Sequence, residues 1–445
     1  MEAAGGFAEE TTKRRYSASA IAYLALLSVI SVIVVVRLSG TIGRFDVKPI
    51  NFTRQIASDP KIQARTRRQQ SDVIRRDPHK QHHRAPPLHL TSPPQPLITC
   101  DRSHYHNDIC SITGPTLLDP TNSTLYPVGP AQSPEPITEQ IKPYPRKWEP
   151  FTMARIRPIT LTSSPGPSRC HVTHKAPALV FSAGGYTGNF FHDFNDGFIP
   201  LFVTIHTILP SSGRDFVLVV DSAKEWWLRK YADLLRALSK HPVVTLGNNN
   251  GSSLHCFESA SVGLVSHGFM TIEPNRFPHG PVSLLSFRAL LDRAYSPKAQ
   301  SNQPNLGSIS RGALYRRRPR LVLASRSGDV GRVMLNQDRV KALAEDAGFE
   351  VVIFEAKAMD PLKHSYQLLN TSHAIVGVHG AALTHMLFMR PGAVFIQVVP
   401  VGAGWVAEAC FGKAAREMGL DLKRFKGYLK KAYGKAKRFM DNSGE

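Results

Sequence analysis

The chain has 445 residues, 42% of them hydrophobic, and a formal charge of +21. That is long enough for two domains and basic enough to raise nucleic acid as a partner. The placement of the charge argues against that partner. Much of it lies in Arg54 to Arg84 and in Lys423 to Arg438, outside the apolar middle, and no zinc-finger or RNA-recognition signature accompanies it.

Ala18 to Val36 is an almost unbroken, uncharged apolar run. About 19 residues at roughly 1.5 Å each span about 28 Å, one hydrocarbon core. The run is longer than a signal-peptide core and no convincing Ala-x-Ala site follows it, so it predicts an uncleaved signal anchor over 18–38. Lys13, Arg14 and Arg15 precede it and Arg37 and Arg44 follow it. That bias slightly favours a cytosolic tail over 1–17 and a lumenal body. Residues 39–96 are polar, basic and proline-containing, and read as a disordered stem. Two features agree with a lumen. Asn51, Asn122, Asn250 and Asn370 head glycosylation sequons. Cys100, Cys110, Cys170 and Cys256 are disulfide candidates, and with Cys410 the count is odd. No CxxC spacing suggests structural zinc, and no metal site is expected.

The folded part begins at Ile98, and Cys100 and Cys110 are close enough to pinch a loop. Thr116 to Pro150 reads as proline- and turn-rich. From Ala178 an α/β rhythm sets in: strands at Leu179 to Ser182, Phe216 to Val220, Val243 to Leu246 and Val262 to Val265. Helices are expected at Phe190 to Leu209, kinked or split by Pro200, at Glu225 to Ser239 and at Pro281 to Tyr295. Lys298 to Arg318 reads as an interdomain linker. A second unit has strands at Leu321 to Ala324, Glu350 to Phe354, Ala374 to Val378 and Val394 to Val399. Its helices are at Met334 to Ala347, Leu362 to Asn370 and Leu383 to Met389, and a basic amphipathic helix follows at Leu422 to Met440. The alternation predicts a parallel sheet in each half.

Three stretches can carry chemistry. In Ala374 to Pro400 a buried strand meets the small-residue turn His379-Gly380-Ala381-Ala382 and then a helix start. That is how an α/β protein holds a phosphate at the carboxyl end of a strand, although an ordinary strand–helix turn has the same pattern. In Gly184 to Pro200, Gly184, Gly185 and Gly188 precede a helix on which His192 and Asp196 share one face. Such a pair can act as a general base, or be the polar face of a capped helix. In Ser325 to Asn336, Arg326 and Arg332 follow a strand and suit a diphosphate, or a surface salt bridge. No Asp-x-Asp, phosphate-loop or nucleophile-elbow pattern occurs.

Ordered blocks carry a resemblance. They are CDRSHYHNDIC at Cys100, PALVFSAGGYTGNFFHDFNDGFIPLFVT at Pro177, HCF at His255, RPRLVLASR with Arg332 and Asn336, and VGVHGAALTHMLFMRPGAVFIQVVP at Val376. Together they resemble the plant branch of glycosyltransferase family 61, the xylan arabinosyl- and xylosyltransferases, over roughly Ile98 to Leu420. The resemblance implies a single-pass type II Golgi protein with a lumenal catalytic part. It implies a GT-B fold of two facing Rossmann-like domains, 97–310 for the acceptor and 311–420 for the nucleotide sugar, followed by 421–445. It also implies an inverting transfer of a pentose from a UDP-sugar to a xylan-like polysaccharide, with no cofactor and no metal for chemistry, and a complex with other Golgi transferases as a further partner.

By position, the resemblance implies donor binding by Arg326, Arg332, Asn336, His379, Gly380, Ala381, Ala382 and Thr384. It implies an acceptor side with Gly184, Gly185, Asn189 and Asp193, and catalysis by Asp196, the first choice for the base, with His192. Relative to that family, Met418-Gly419-Leu420 passes at once to Asp421, so a shortened C-terminal domain is expected. The other reading that follows is an inactive scaffold in a Golgi synthase complex, which donor binding would distinguish.

Overall fold

The computed structural model describes residues 97–129, 135–247, 253–296, 318–327, 332–424 and 429–443. The expected tail, anchor and stem, nearly all of the expected linker, Asn51 and Asn250 lie outside them. Among the described residues no helix is long and apolar enough to cross a membrane.

The strands come in three groups. First are β1 (Ile98–Asp101), β2 (Ile109–Ile112), β3 (Thr116–Asp119), β4 (Thr124–Pro127), β5 (Thr138–Ile141), β6 (Ile159–Thr162) and β7 (Val172–Thr173). Then come β8 (Ala178–Ser182), β9 (Val217–Asp221), β10 (Val244–Leu246), β11 (His255–Phe257) and β12 (Ala260–Val262). Last are β13 (Arg320–Ala324), β14 (Glu350–Phe354), β15 (Ala374–Val378), β16 (Val394–Val398) and β17 (Asp421–Arg424).

They build three sheets. One has the order β1-β2-β12-β8-β9-β10, parallel from β12 to β10. Another has the order β14-β13-β15-β16-β17 and is parallel throughout. Their central strands are continuous apolar runs because both faces are covered: β8 and β9 are buried at every position, as are Leu321 to Leu323 and Val394 to Ile396. The third sheet, β5-β6-β4-β3-β11-β7, is mixed. Three of its strands, β3, β4 and β5, lie in the stretch expected to be proline- and turn-rich. Its strands are short and polar-rich, and they become strands by pairing with β6 and β11, distant in sequence.

Four more expectations are corrected. The helix across Pro200 changes type ahead of the proline: Phe190–His192 runs into a π-turn, Asp193–Phe198, and on into Ile199–Ile208. Proline has no N–H for the carbonyl of Asp196, and the wider turn accommodates that loss. Glu225 to Ser239 breaks at Tyr231 into Glu225–Lys230 and Ala232–Leu238. After His379 the helix is 3-10, Ala381–Phe388. Asp421–Arg424 is not helical but the edge strand β17, in register with Val394 to Gln397. The basic helix is Leu429–Ser443, and it packs Ala432, Ala436 and Met440 inward.

The order of the all-parallel sheet reverses between β13 and β15, and that of the first sheet between β8 and β12. Open α/β sheets bind ligands beyond the carboxyl ends of the strands at such reversals. Those ends carry Ser325-Arg326, His379-Gly380, Gly184-Gly185 and the loop through Phe269.

Candidate active site

Two adjoining cavities lie where these ends meet. The larger, about 420 Å³, is lined from the all-parallel sheet by Arg326, Arg332, Glu355, Ala381 and Ala382, and from the other side by Gly188, Asn189 and Lys230. The smaller, about 260 Å³, is lined by Arg146, His192, Phe269, His379, Gly380 and Phe411. Asn189, Arg332 and Ala381 line both.

Gly380 has φ 151°, a conformation that side chains rarely adopt, and a Cβ there would collide with the Arg326 guanidinium. This glycine therefore lets an arginine lie against the turn. Arg332 is held in the left-handed region at φ 69° and donates from Nη1 to the carbonyl of His379 at 3.0 Å. Such strain in a non-glycine residue persists where surroundings impose it, often at binding sites. Burial and the nearby Arg332 lower the Arg326 pKa, as expected for two like charges over one cavity. His379 is buried, and Gln397 Nε2 donates to its Nδ1 at 2.7 Å, so the proton sits on Nε2. Burial first, then Arg332 and Arg326, lowers its pKa and keeps it neutral.

On the facing side, the π-turn brings His192 and Asp196 together with His192 Nδ1 2.7 Å from Asp196 Oδ2. Asp196 is only 2% exposed and is saturated with donors. Arg146 Nε donates at 3.0 Å, Tyr144 Oη at 3.1 Å and Asn195 Nδ2 at 2.5 Å. His192 stacks on Tyr186 at 4.3 Å and lines the smaller cavity, and Nε2 carries no hydrogen bond from a described residue. The expected base, Asp196, does not itself line either cavity. Its oxygens are occupied inside the protein, whereas the imidazole it orients is the group that meets the cleft.

Other expected site residues divide. Asn189 lines both cavities and caps its helix by accepting from Phe191 N at 3.1 Å. Gly184 and Gly185 shape the wall behind them, and a Cβ on Gly185 would strike the Tyr144 ring. Asp193 points inward. It accepts from Tyr231 Oη at 2.7 Å and Gly188 N at 3.1 Å, and burial raises its pKa. It fixes the Gly188 turn and is not a cleft residue. Thr384 is fully buried, with Oγ1 unbonded among the described residues, and lines neither cavity. Asn336 is exposed at the start of Gln337–Asp346, also outside both cavities.

Sequence reasoning missed Tyr144, Arg146, Lys230, Glu355 and His385. Arg146 and Tyr144 sit in the stretch taken for turns, and only the aromatic-and-proline density of PYPRKWEP marked it. Disulfides join Cys100 to Cys110 and Cys170 to Cys256. Cys410 is a buried free thiol lining the smaller cavity, its pKa raised to about 11 by burial. Of the two described sequon asparagines, Asn122 is exposed in a turn, while Asn370 is half-buried and accepts from Arg288 Nη2 at 2.5 Å.

A family model described as glycosyltransferase 61 matches residues 188–396. Over 347 residues the chain is 37% identical to a xylan glycosyltransferase of Arabidopsis thaliana, an alignment covering 76% of this chain and 69% of that protein. Over 327 residues it is 36% identical to an alpha-1,3-arabinosyltransferase of Oryza sativa subsp. japonica, covering 73% of this chain and 54% of that one. Over 328 residues it is 32% identical to a beta-1,2-xylosyltransferase of the same plant, covering 69% and 67%. The alignments thus span between about half and just over two thirds of these relatives.

Proposed function

The chain belongs to glycosyltransferase family 61, and from that premise we propose that it moves a pentose, xylose or arabinose, from a UDP-sugar to a xylan-type polysaccharide with inversion. The observation that carries this reading is the pair of cavities sharing Asn189, Arg332 and Ala381. One is cationic and lies at a strand-order reversal. The other holds an oriented imidazole. The two faced sheets would be the halves of a GT-B enzyme, 97–310 presenting the acceptor and 311–420 the donor.

In this scheme the nucleotide occupies the larger cavity, its diphosphate between Arg326, Arg332 and the turn after Gly380. The donor sugar lies at the shared wall and the acceptor hydroxyl in the smaller cavity. His192 Nε2 takes the hydroxyl proton as the acceptor oxygen bonds to the anomeric carbon. The bond from that carbon to the diphosphate breaks, and UDP leaves with its electrons. The growing charge meets the two guanidiniums, the Nε2–H of His379 and the unpaired N–H groups of the 3-10 turn, in a scheme that needs no metal. Asp196 acts as a positioning residue, holding Nδ1–H. The body would lie in the Golgi lumen, where an oxidising compartment favours the two disulfides.

The test is a panel of UDP-xylose, UDP-arabinose and other UDP-sugars with xylo-oligosaccharide acceptors. Transfer of a pentose from at least one donor, with inverted configuration, is expected. Absence of transfer together with absence of UDP binding would sink the reading.

A further inference from the structure

We propose that Tyr105 and Trp148 form a stacking platform outside the smaller cavity, against which sugar units of the acceptor chain lie when a neighbouring unit enters that cavity. The inference rests on the reading of the smaller cavity as the acceptor side. A run of aromatic contacts leads from the cavity wall to the surface. Arg146 and Phe269 line the cavity. The Arg146 guanidinium lies 5.3 Å from the Trp148 ring centroid and 5.2 Å from that of Phe269. The Phe269 and Trp148 rings meet edge-on at 6.5 Å. Tyr105 continues the run: its ring is 5.7 Å from Trp148 and within 11° of parallel, yet Tyr105 is 69% exposed.

Exposed side chains commonly change rotamer freely, but this one is braced. Tyr105 lies in the loop between β1 and β2, which the Cys100–Cys110 disulfide closes at its base. His106 meets both rings edge-on, at 5.2 Å from Tyr105 and 4.7 Å from Trp148. Asn107 Oδ1 accepts from Ser266 N at 3.0 Å, which ties the loop to the segment that carries Phe269. A ring already held in place loses little freedom on binding, so the bracing favours a ligand. The surroundings select a neutral one. Arg102 pairs with Asp108 and Glu139, and Lys147 pairs with Asp108, so these charges beside the rings are matched among themselves. An aromatic face is electron-rich, and a xylan backbone unit, with its substituents equatorial, presents C–H groups on both of its faces. Two rings are also far less surface than a stable protein partner covers.

The experiment is titration calorimetry on the full chain with UDP, and with xylohexaose and xylobiose added to protein saturated with UDP, for the native protein, Tyr105→Ala and Tyr105→Phe. The native protein should bind xylohexaose about tenfold more tightly than xylobiose, the scale of a stacked ring or two. Tyr105→Ala should lose most of that preference through a fall in xylohexaose affinity, with xylobiose affinity, UDP affinity and melting temperature unchanged. Tyr105→Phe should keep it. Native protein that binds the two oligosaccharides equally, an alanine variant that keeps the full preference, or a phenylalanine variant that loses it overturns the platform and leaves both cavities standing. An alanine variant that loses UDP or xylobiose as well shows a general effect and also overturns it. Native protein that binds UDP but no xylo-oligosaccharide overturns the platform and leaves the donor side standing. Native protein that binds neither removes both this inference and the function it rests on.

Discussion

At the scale of single residues, the question is which member of the His192–Asp196 pair meets substrate. An aspartate gripped by Arg146, Tyr144 and Asn195 has its oxygens occupied inside the protein, and it shares the buried Arg146 guanidinium with Glu149. The two substitutions should therefore separate. His192→Gln is expected to lower turnover by about two to four orders of magnitude while the melting temperature and UDP affinity hold. Asp196→Asn is expected to lower turnover and stability together, the latter by about 1–3 kcal/mol, because Arg146 loses its buried carboxylate partner and keeps Glu149. Turnover assays beside thermal melts check both. A stable, inactive Asp196→Asn with an active His192→Gln would return the base to Asp196.

At the scale of an element, the 3-10 turn Ala381–Phe388 presents its first residues to the cavity and buries His385 behind them. His385 donates Nδ1–H to the carbonyl of Ala382 at 2.8 Å and stacks on Phe190 at 4.1 Å. Burial lowers its pKa to about 4, with Lys230 adding to that and Asp360 opposing it. The folded pKa thus lies below the unfolded value near 6.5. Above about pH 6.5 the ring is neutral in both states and its packing counts in full. Below that, the unfolded chain takes up a proton that the native turn refuses, so stability falls until the folded pKa is passed. Melting temperatures taken from pH 7 to pH 4 should fall, and His385→Phe should flatten part of that slope, worth of order 2–3 kcal/mol. An identical slope in the variant would place the acid sensitivity elsewhere.

At the scale of the whole molecule, the halves that carry the two sides of the cleft share one apolar core. Phe194, Phe287 and Leu291 from the first belong to the same cluster as Tyr366, Leu369 and Phe388 from the second. Arg288, on Leu284–Tyr295, stitches the join. It donates to Met389 O at 2.6 Å, to Asp292 at 2.7 Å and to Asn370 at 2.5 Å, and it is only 9% exposed. Removing it takes a donor from Met389 O and Asn370 Oδ1 in the second half, while Asp292 keeps its bond from Tyr366 Oη. Arg288→Ala should cost about 3 kcal/mol, read as a lower urea midpoint in a transition that stays single, since the halves cannot unfold apart while they share a core. Two separated transitions in the native protein would count against that coupling.

What the sequence determined by itself is the α/β rhythm of the two parallel sheets and the position of the loops that end their central strands. Leu179 to Ser182, Leu321 to Ala324 and Ala374 to Val378 are legible because a strand covered on both faces must be apolar throughout. The turns at Gly184 and Gly380 are legible because only small residues permit such close approach. The ordered motifs also identified the family. Tertiary structure alone decided the rest. The middle sheet exists because short polar strands find partners far along the chain. Asp196 is held inside the protein because Tyr144 and Arg146, about fifty residues earlier, converge on it. Asp193 and Thr384 turn inward, and Lys230 and Glu355 reach one cavity from opposite halves. Local pattern records which face of an element is apolar. It does not record what another element brings against that face, and here that contact sets each side chain's chemistry.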